Sequence, residues 1–183
     1  MTSIKSLSGR QSSRTVMAER PPRKLLMPSM MCADFANLAD EINSLEVAGA
    51  DIFHLDVMDG AFVPNFGLGS QAVSFICKHA TIPCDVHMMV EKPGRYVEMF
   101  VRMGARIIYV HPEADVHICR TLAIIRDPAA APGIAINPGT SFSTIEPTLN
   151  LVDYVCAMTV NPGFAGQQYL PFVNQKGSRL AAV

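Results

Sequence analysis

From Leu25 onward, short runs of β-branched and aliphatic residues alternate with amphipathic stretches. This alternation is typical of repeated βα units around a parallel sheet. The pattern predicts strands at 24–30, 51–58, 83–89, 106–111, 133–137 and 154–160. It predicts helices at 35–48, 70–79, 93–103, 115–126 and 143–149, with a further helix beginning in 168–183. We therefore expect an α/β fold.

The repeat length of these units favours a barrel. The segments AGADIFHLDV and MGARIIYVHP are two copies of one helix-to-strand joint, 55 residues apart. Each predicted unit takes about 27 residues, so a closed eight-stranded barrel needs roughly 215 residues from Leu25. We expect a (β/α)8 TIM barrel that is truncated after about six βα units.

The amino-terminal stretch differs from the rest of the chain. Residues 1–24 contain six Lys and Arg, a single acid in Glu19, and few apolar residues. Such a segment cannot bury enough surface to offset its ordering entropy. We expect a disordered basic extension at 1–24 and a barrel domain at 25–183. A transit peptide has the same composition, so an organellar location stays open as an alternative.

The remaining composition narrows the class of protein. No apolar run approaches the roughly 20 residues that a bilayer requires. The five cysteines are scattered without CxxC spacing, which favours a reducing compartment. No aromatic residues interleave the amino-terminal charges, as they would in a nucleic-acid arm. We expect a cytoplasmic protein with neither a membrane nor a nucleic-acid partner.

Two neighbouring predicted strands carry polar side chains on one face. Period-2 alternation places His54 and Asp56 opposite the apolar residues of the second strand, and His87 on the same face of the third. An unpaired charge facing a barrel interior is costly. Two histidines and one aspartate on neighbouring strands are suitable ligands for a divalent metal. The alternative is a pair of hydrogen-bonded core histidines beside a structural acid.

The segment NPGFAG at 161–166 follows the last predicted strand directly. Glycines in a strand-to-helix loop allow backbone N–H groups to approach a phosphate. An ordinary Gly/Pro turn is the alternative interpretation.

Four segments together resemble the ribulose-phosphate 3-epimerase family: PSMMCADFANL, HLDVMDGAFVPN, DVHMMVEKP and MTVNPGFAGQ. They occur in the family's order and spacing between about residues 25 and 171. The resemblance implies a TIM barrel of the ribulose-phosphate-binding type. It also implies metal-dependent epimerisation at carbon 3 of a ketose phosphate, D-ribulose 5-phosphate to D-xylulose 5-phosphate, by proton abstraction through an enediolate. The HPE segment at 111–113 and MTVNPGFAGQ resemble the allulose-6-phosphate 3-epimerase branch equally well.

The resemblance also implies roles for individual residues. His54, Asp56 and His87 correspond to three of four ligands of one divalent metal ion (zinc, iron, manganese or cobalt), and Asp56 to one of two acid/base carboxylates. The implied substrate contacts are Ser29, Met58, His87, Met89, Met158, Gly163, Phe164, Ala165 and Gly166.

The family's second aspartate lies on a seventh strand, in a V-D-G segment, and is also the fourth metal ligand. This sequence ends before that strand. Asp153 lies at the start of the sixth predicted strand rather than at the end of a seventh, so Asp153 is a poor substitute. We expect the chain alone to bind metal weakly and to show no epimerisation. A catalytically inactive sugar-phosphate-binding fragment is therefore an alternative. The implied partners are a phosphorylated ketose and, at full length, further copies of the chain in a homo-oligomer.

Other polar residues receive less specific interpretations. His111 and Glu113 follow a strand end, where we expect them to support the site rather than to react. Asn65 and the Asn137-Pro-Gly139 segment have the composition of turns. Met58 occupies the position of the lysine in the D-x-K-x-x-D motif of related lyase barrels, which argues against lyase chemistry.

Overall fold

The computed structural model describes residues 24–126 and 130–180. Apart from Lys24, the predicted disordered extension lies outside these residues. The strands are β1 (Phe53–Met58), β2 (Cys84–Met89), β3 (Ile107–Val110), β4 (Ala131–Ile136) and β5 (Tyr154–Ala157). The helices are α1 (Leu38–Val47), α2 (Ser70–His79), α3 (Val97–Met103), α4 (Ile118–Arg126) and α5 (Asn174–Leu180).

The five strands form one parallel sheet in the order β1-β2-β3-β4-β5. A helical segment connects each strand to the next, so the predicted alternation of strand and helix is confirmed. Because all strands run the same way, their carboxyl ends lie at one edge of the sheet. The loops that follow the strands meet there, as they do in barrel enzymes.

The prediction of a strand at 24–30 was wrong. Its residues form only an isolated parallel bridge between Ser29 and His54, beside the start of β1. Leu26 O accepts from Asp51 N at 2.8 Å and Pro28 O accepts from His54 N at 2.9 Å. In return, Leu26 N donates to the side chain of Asp51 at 2.9 Å. Because Pro28 has no N–H, no regular ladder forms.

The prediction of a helix at 143–149 was only partly correct. The segment forms two 3-10 helices, Phe142–Thr144 and Glu146–Leu151. Pro147, at the start of the second, cannot donate a backbone hydrogen bond, which disfavours one continuous α-helix.

The alternation of faces predicted for β1 is confirmed. Phe53, Leu55 and Val57 belong to the main hydrophobic cluster together with apolar residues of α1 to α4. His54 and Asp56 point the other way and are partly exposed. The apolar face of the sheet therefore packs against the helices, and its polar face is left for a site.

None of the helices in the described part of the chain is long and apolar enough to cross a membrane.

We expect Leu55→Ala to lower the free energy of unfolding by about 2 to 5 kcal/mol, because it leaves a cavity between β1 and the helices. The Leu55 side chain is fully buried. Val47, on the solvent side of α1, is 90% exposed and provides the matched control. Val47→Ala should change stability by less than about 0.5 kcal/mol in the same urea titration. Equal losses for the two variants would contradict this packing.

Candidate metal centre

The pairing of β1 with β2 brings three side chains together. Asp56 is the direct neighbour of His87 in the parallel register, and His54 lies two residues earlier on the same face of β1. Asp56 Oδ1 is 3.2 Å from His54 Nε2 and 3.1 Å from His87 Nδ1. One ligand atom from each residue lies within 4.8 Å of the others. Among the described residues, no other three His, Cys, Asp or Glu side chains converge in this way.

The second nitrogen of each histidine is also held in place. His54 Nδ1 lies 2.6 Å from Asp85 Oδ1, and His87 Nε2 lies 2.8 Å from His111 Nε2. Metal-bound histidines usually have such a partner on the ring nitrogen that does not bind the ion. His54 Nε2 and His87 Nδ1 are therefore left to face Asp56. This donor set of two nitrogens and a carboxylate fits a divalent transition metal.

Protonation of the cluster follows from its contacts. Burial acts to lower the pKa of His54, but hydrogen bonds and negative charge from Asp56 and Asp85 outweigh it and raise the pKa to about 10. Burial lowers the pKa of His87 to about 4, against the opposing effect of Asp56. Burial would raise the pKa of Asp56, yet the two histidines hold it well below its usual range. Burial raises the pKa of Asp85.

Ser29 completes the surroundings of Asp56. Its Oγ donates to Asp56 Oδ2 at 2.5 Å, on the carboxylate oxygen that does not face the histidines. The bridge between Ser29 and His54 places the hydroxyl there. The two oxygens of Asp56 thus have separate partners.

An apolar cluster lies at the same ends of the strands. Met58 and Met89 are buried and pack with Val63, Met31 and Phe62. Met58 and Met89 follow Asp56 and His87 by two residues on the same faces of their strands. Met158, by contrast, is half-buried beyond the end of β5, and the structure does not include it in this cluster.

The loop at 161–166 adopts a compact conformation. Gly163 has φ of 114° and Gly166 has φ of 73°, which favour glycine over residues with a Cβ. Gln167 Nε2 donates to Asn161 O at 2.6 Å and to Phe164 O at 2.8 Å. The side chain of Asn65 reaches across from the loop after β1, and its Nδ2 donates to Gly163 O at 2.7 Å. Side-chain amides therefore hold three carbonyls of this loop.

A further polar group lies behind His87. His111 is fully buried, and its Nδ1 is 3.4 Å from Glu113 Oε2. The other oxygen of Glu113 accepts from Asn137 N at 3.0 Å and from Thr140 Oγ1. Burial would raise the pKa of Glu113, but hydrogen bonds from these three residues lower it to about 2.

Comparison with known proteins agrees with this geometry. A profile of the "Ribulose-phosphate 3 epimerase family" matches residues 25–182. The chain belongs to this family.

Curated relatives of this family are closely similar over most of the chain. The "Ribulose-phosphate 3-epimerase" of Aquifex aeolicus is 47% identical over 80% of this chain and 66% of its own length. That of Bacillus subtilis is 44% identical over 81% of this chain and 69% of its own. The chloroplastic ribulose-5-phosphate-3-epimerase of Arabidopsis thaliana is 41% identical over 80% of this chain and 53% of its own length. The chain thus spans about two thirds or less of the length of most of these epimerases.

Solved structures agree on the fold. The tryptophan synthase α-subunit of Pyrococcus furiosus has a TM-score of 0.60 at 10% identity, covering 87% of this chain and 73% of its own. The tryptophan synthase α-subunit of Legionella pneumophila has a TM-score of 0.57 at 14% identity, and the match covers 87% of this chain and 69% of the α-subunit. Both are TIM-barrel enzymes, so the likeness supports the predicted α/β barrel architecture.

The family's predicted site residues fall into two places. Ser29, His54, Asp56 and His87 form the cluster at β1 and β2, with Met58 and Met89 just beyond. The predicted phosphate loop lies after β5 and is joined to the loop after β1 by the hydrogen bond from Asn65 Nδ2 to Gly163 O, and a Cβ at Gly163 would meet Val63. Its residues Phe164, Ala165 and Gly166 are exposed. Asp153 pairs with Arg126 at 3.4 Å at the surface, away from both places.

Sequence reasoning missed several partners. Asp85 shares the inward face of β2 with His87, so alternation already indicated its direction, but its contact with His54 depends on the register. Thr140 and Gln167 carried no signal of their own in the sequence. Asn65 was interpreted only as a turn residue. Its hydrogen bond to Gly163 O, 98 residues further along the chain, was not predicted.

Metal affinity should rise with pH. His54 keeps its proton up to about pH 10, and that proton occupies the nitrogen that faces Asp56, so the metal must displace it. The apparent dissociation constant for Zn²⁺ should therefore fall by roughly tenfold per pH unit from about pH 7 and level off near pH 10. Competition with a chelator of known pH dependence measures this. A constant affinity across this interval would contradict the assignment.

Asn65→Ala should loosen the family's loop at 161–166. Losing the bond to Gly163 O should raise amide hydrogen exchange at residues 163–166 roughly two- to tenfold. The exposed Asn150, in the 3-10 helix Glu146–Leu151, provides the control. Asn150→Ala should leave this exchange unchanged in the same mass-spectrometric measurement. Unchanged exchange in Asn65→Ala would show that the bond does not hold the loop.

Proposed function

We propose that this cluster is the metal-binding half of an epimerase site that interconverts D-ribulose 5-phosphate and D-xylulose 5-phosphate. One observation carries the proposal. Two histidines aim one nitrogen each at the same oxygen of Asp56, while Asp85 and His111 hold their other nitrogens. Membership in the ribulose-phosphate 3-epimerase family and the names of the relatives support the choice of reaction.

The reaction requires a proton to leave carbon 3, next to the carbonyl at carbon 2. A divalent cation (zinc, iron, manganese or cobalt), held by His54 Nε2, Asp56 and His87 Nδ1, would polarise the substrate oxygens and stabilise the negative charge of the enediolate. The buried partners of both histidines fit this role, because they keep the two ligand nitrogens directed at one point.

Asp56 is the group that takes the proton. Its contacts with His54 and His87 hold its pKa well below the usual range, so it is ionised and ready to accept. The histidines face Oδ1, whereas Ser29 donates to Oδ2. Once Oδ2 carries the proton, the Ser29 hydroxyl can turn and accept from it. Ser29 thereby keeps the carboxylate oriented in both protonation states.

The substrate is held at both ends. Met58 and Met89 offer an apolar wall next to the reacting carbons, together with His87, and Met158 approaches from the end of β5. The phosphate lies at the backbone of Gly163, Phe164, Ala165 and Gly166. The amide contacts that hold three carbonyls of this loop support its use as an anion site, because they leave the opposite N–H groups free to turn toward a phosphate.

Inversion needs an acid on the opposite face of the substrate. Asp85 lies on the far side of the His54 ring from Asp56, and Asp153 pairs with Arg126. Neither is placed to return a proton. The family resemblance assigns this acid to a V-D-G segment of a seventh strand.

We propose that the enzyme is cytoplasmic, acts in the pentose phosphate pathway and forms a homo-oligomer, without membrane or nucleic-acid partners.

Nuclear magnetic resonance in deuterium oxide tests the reaction. The 183-residue chain, given Zn²⁺ or Mn²⁺ and D-ribulose 5-phosphate, should form no D-xylulose 5-phosphate, because neither Asp85 nor Asp153 is placed to return a proton. The chain joined to the remaining part of the Aquifex aeolicus relative should epimerise the substrate and incorporate deuterium at carbon 3. A metal chelator should abolish this turnover. Parallel incubation with allulose 6-phosphate decides between the pentose and hexose branches.

Two variants of the joined protein provide the contrast. Asp56→Asn should lose at least about 100-fold in rate, because an amide cannot take the proton. Asp153→Asn, at the surface pair with Arg126, should leave the rate unchanged. Full turnover by the 183-residue chain alone, or by Asp56→Asn, would overturn the proposal.

A further inference from the structure

A line of polar contacts leads from the candidate metal centre to Glu113, in the loop after β3. It runs from Asp56 Oδ1 to His87 Nδ1 at 3.1 Å, and from His87 Nε2 to His111 Nε2 at 2.8 Å. It ends at Glu113 Oε2, 3.4 Å from His111 Nδ1. His87 and His111 are 1% and 0% exposed, so their two rings are shielded from bulk water.

When both buried imidazoles are neutral, they supply only two protons for the three contacts of the line. One contact then lacks a proton. The contact that lacks a proton cannot be the one between the two rings, because two bare (unprotonated) nitrogens at 2.8 Å would repel each other. Two arrangements remain. Either His87 Nδ1 is bare and faces Asp56, or His111 Nδ1 is bare and faces Glu113.

We propose that Glu113 and His111 are positioning residues that keep the proton of His87 on Nε2, so that Nδ1 presents its lone pair to a cation. The metal-binding part of this inference rests on the proposed function. The proton arrangement itself concerns the chain alone.

The surroundings of Glu113 favour this arrangement. Its Oε1 accepts from Asn137 N at 3.0 Å and from Thr140 Oγ1, which leaves Oε2 for the buried Nδ1 of His111. These donors also keep Glu113 ionised, with a pKa lowered to about 2 against the effect of burial. A bare Nδ1 facing this negative charge would be unfavourable. A protonated Nδ1 is attracted to it even at 3.4 Å.

The other end of the line has less need of a proton. Asp56 Oδ1 already faces His54 Nε2 at 3.2 Å, and Asp56 Oδ2 accepts from Ser29 at 2.5 Å. With two other donors, Asp56 can tolerate a bare His87 Nδ1 more easily than Glu113 can tolerate a bare His111 Nδ1. The bare nitrogen is then the one that a cation would use.

The loop after β4 fixes Glu113 in this orientation. Lys176 of α5 donates to Asn137 O and Pro138 O, both at 2.6 Å. These bonds hold the peptide groups next to Asn137, whose N–H points at Glu113. The proton position at His87 therefore depends on contacts that extend to α5, far along the chain from β2.

Glu113→Gln tests the inference because it removes the charge and keeps the shape. The new amide oxygen should accept from Asn137 N and Thr140 Oγ1, which turns its NH₂ group toward His111 Nδ1. That nitrogen must then be bare, so the proton of His87 should move to Nδ1. Glu98→Gln is the matched control, since Glu98 pairs with Arg102 on the surface and both side chains are at least 70% exposed.

Long-range nitrogen-15 NMR on the metal-free chain reads the proton positions directly. The natural chain and Glu98→Gln should carry Nε2–H on His87 and Nδ1–H on His111. Glu113→Gln should carry Nδ1–H on His87, and its affinity in a Zn²⁺ titration should fall roughly 10- to 100-fold. His111→Phe, which removes the acceptor of the His87 Nε2–H, should show the same shift if Glu113→Gln fails to fold.

The outcomes separate the two proposals. A proton on Nδ1 of His87 in the natural chain, or an unchanged proton position in both variants, overturns the inference whatever the metal does. If the natural chain has the expected proton arrangement but never binds Zn²⁺, the proposed metal-dependent function fails and the role of Glu113 in setting the tautomer stands.

Discussion

The in-register pairing of β1 with β2 is the constraint on which the candidate site depends. It places Asp56 beside His87 and His54 beside Asp85, so each histidine of the centre meets a carboxylate on the neighbouring strand. A shift of one residue would turn His87 toward the helices and leave Asp56 without its second histidine. The apolar residues of the opposite face oppose such a shift, because they would lose their burial against α1 to α4.

Burying this much polar surface is costly unless the groups satisfy one another. The cluster offsets much of this cost through a continuous set of contacts from Ser29 through Asp56 and His87 to His111, while Asp85 Oδ2 and His111 Nδ1 have no hydrogen-bond partner among the described residues. Each contact also restricts the direction of the next ring or carboxylate. The same pairing that makes burial tolerable therefore directs two nitrogens and one carboxylate oxygen at a common point, which is the property a cation site requires.

The loops at the carboxyl ends of the strands are connected by side chains rather than by backbone ladders. Asn65 holds the loop after β5, and Glu113 holds the loop after β4 through Asn137 and Thr140. Lys176 extends this set of contacts to α5. As a result, the shape of the site depends on residues that are distant in the sequence and close only in the folded chain.

The sequence by itself determined the alternation of strands and helices, the apolar and polar faces of β1 and β2, and the residues His54, Asp56 and His87. These features depend on local periodicity and on short motifs that adjacent residues carry. Only the tertiary structure decided which nitrogen of each histidine faces Asp56, that Asp85 partners His54, and that residues 24–28 form no regular strand. Those outcomes depend on register, on the missing N–H of Pro28 and on contacts between distant loops, none of which a local pattern of hydrophobic residues encodes.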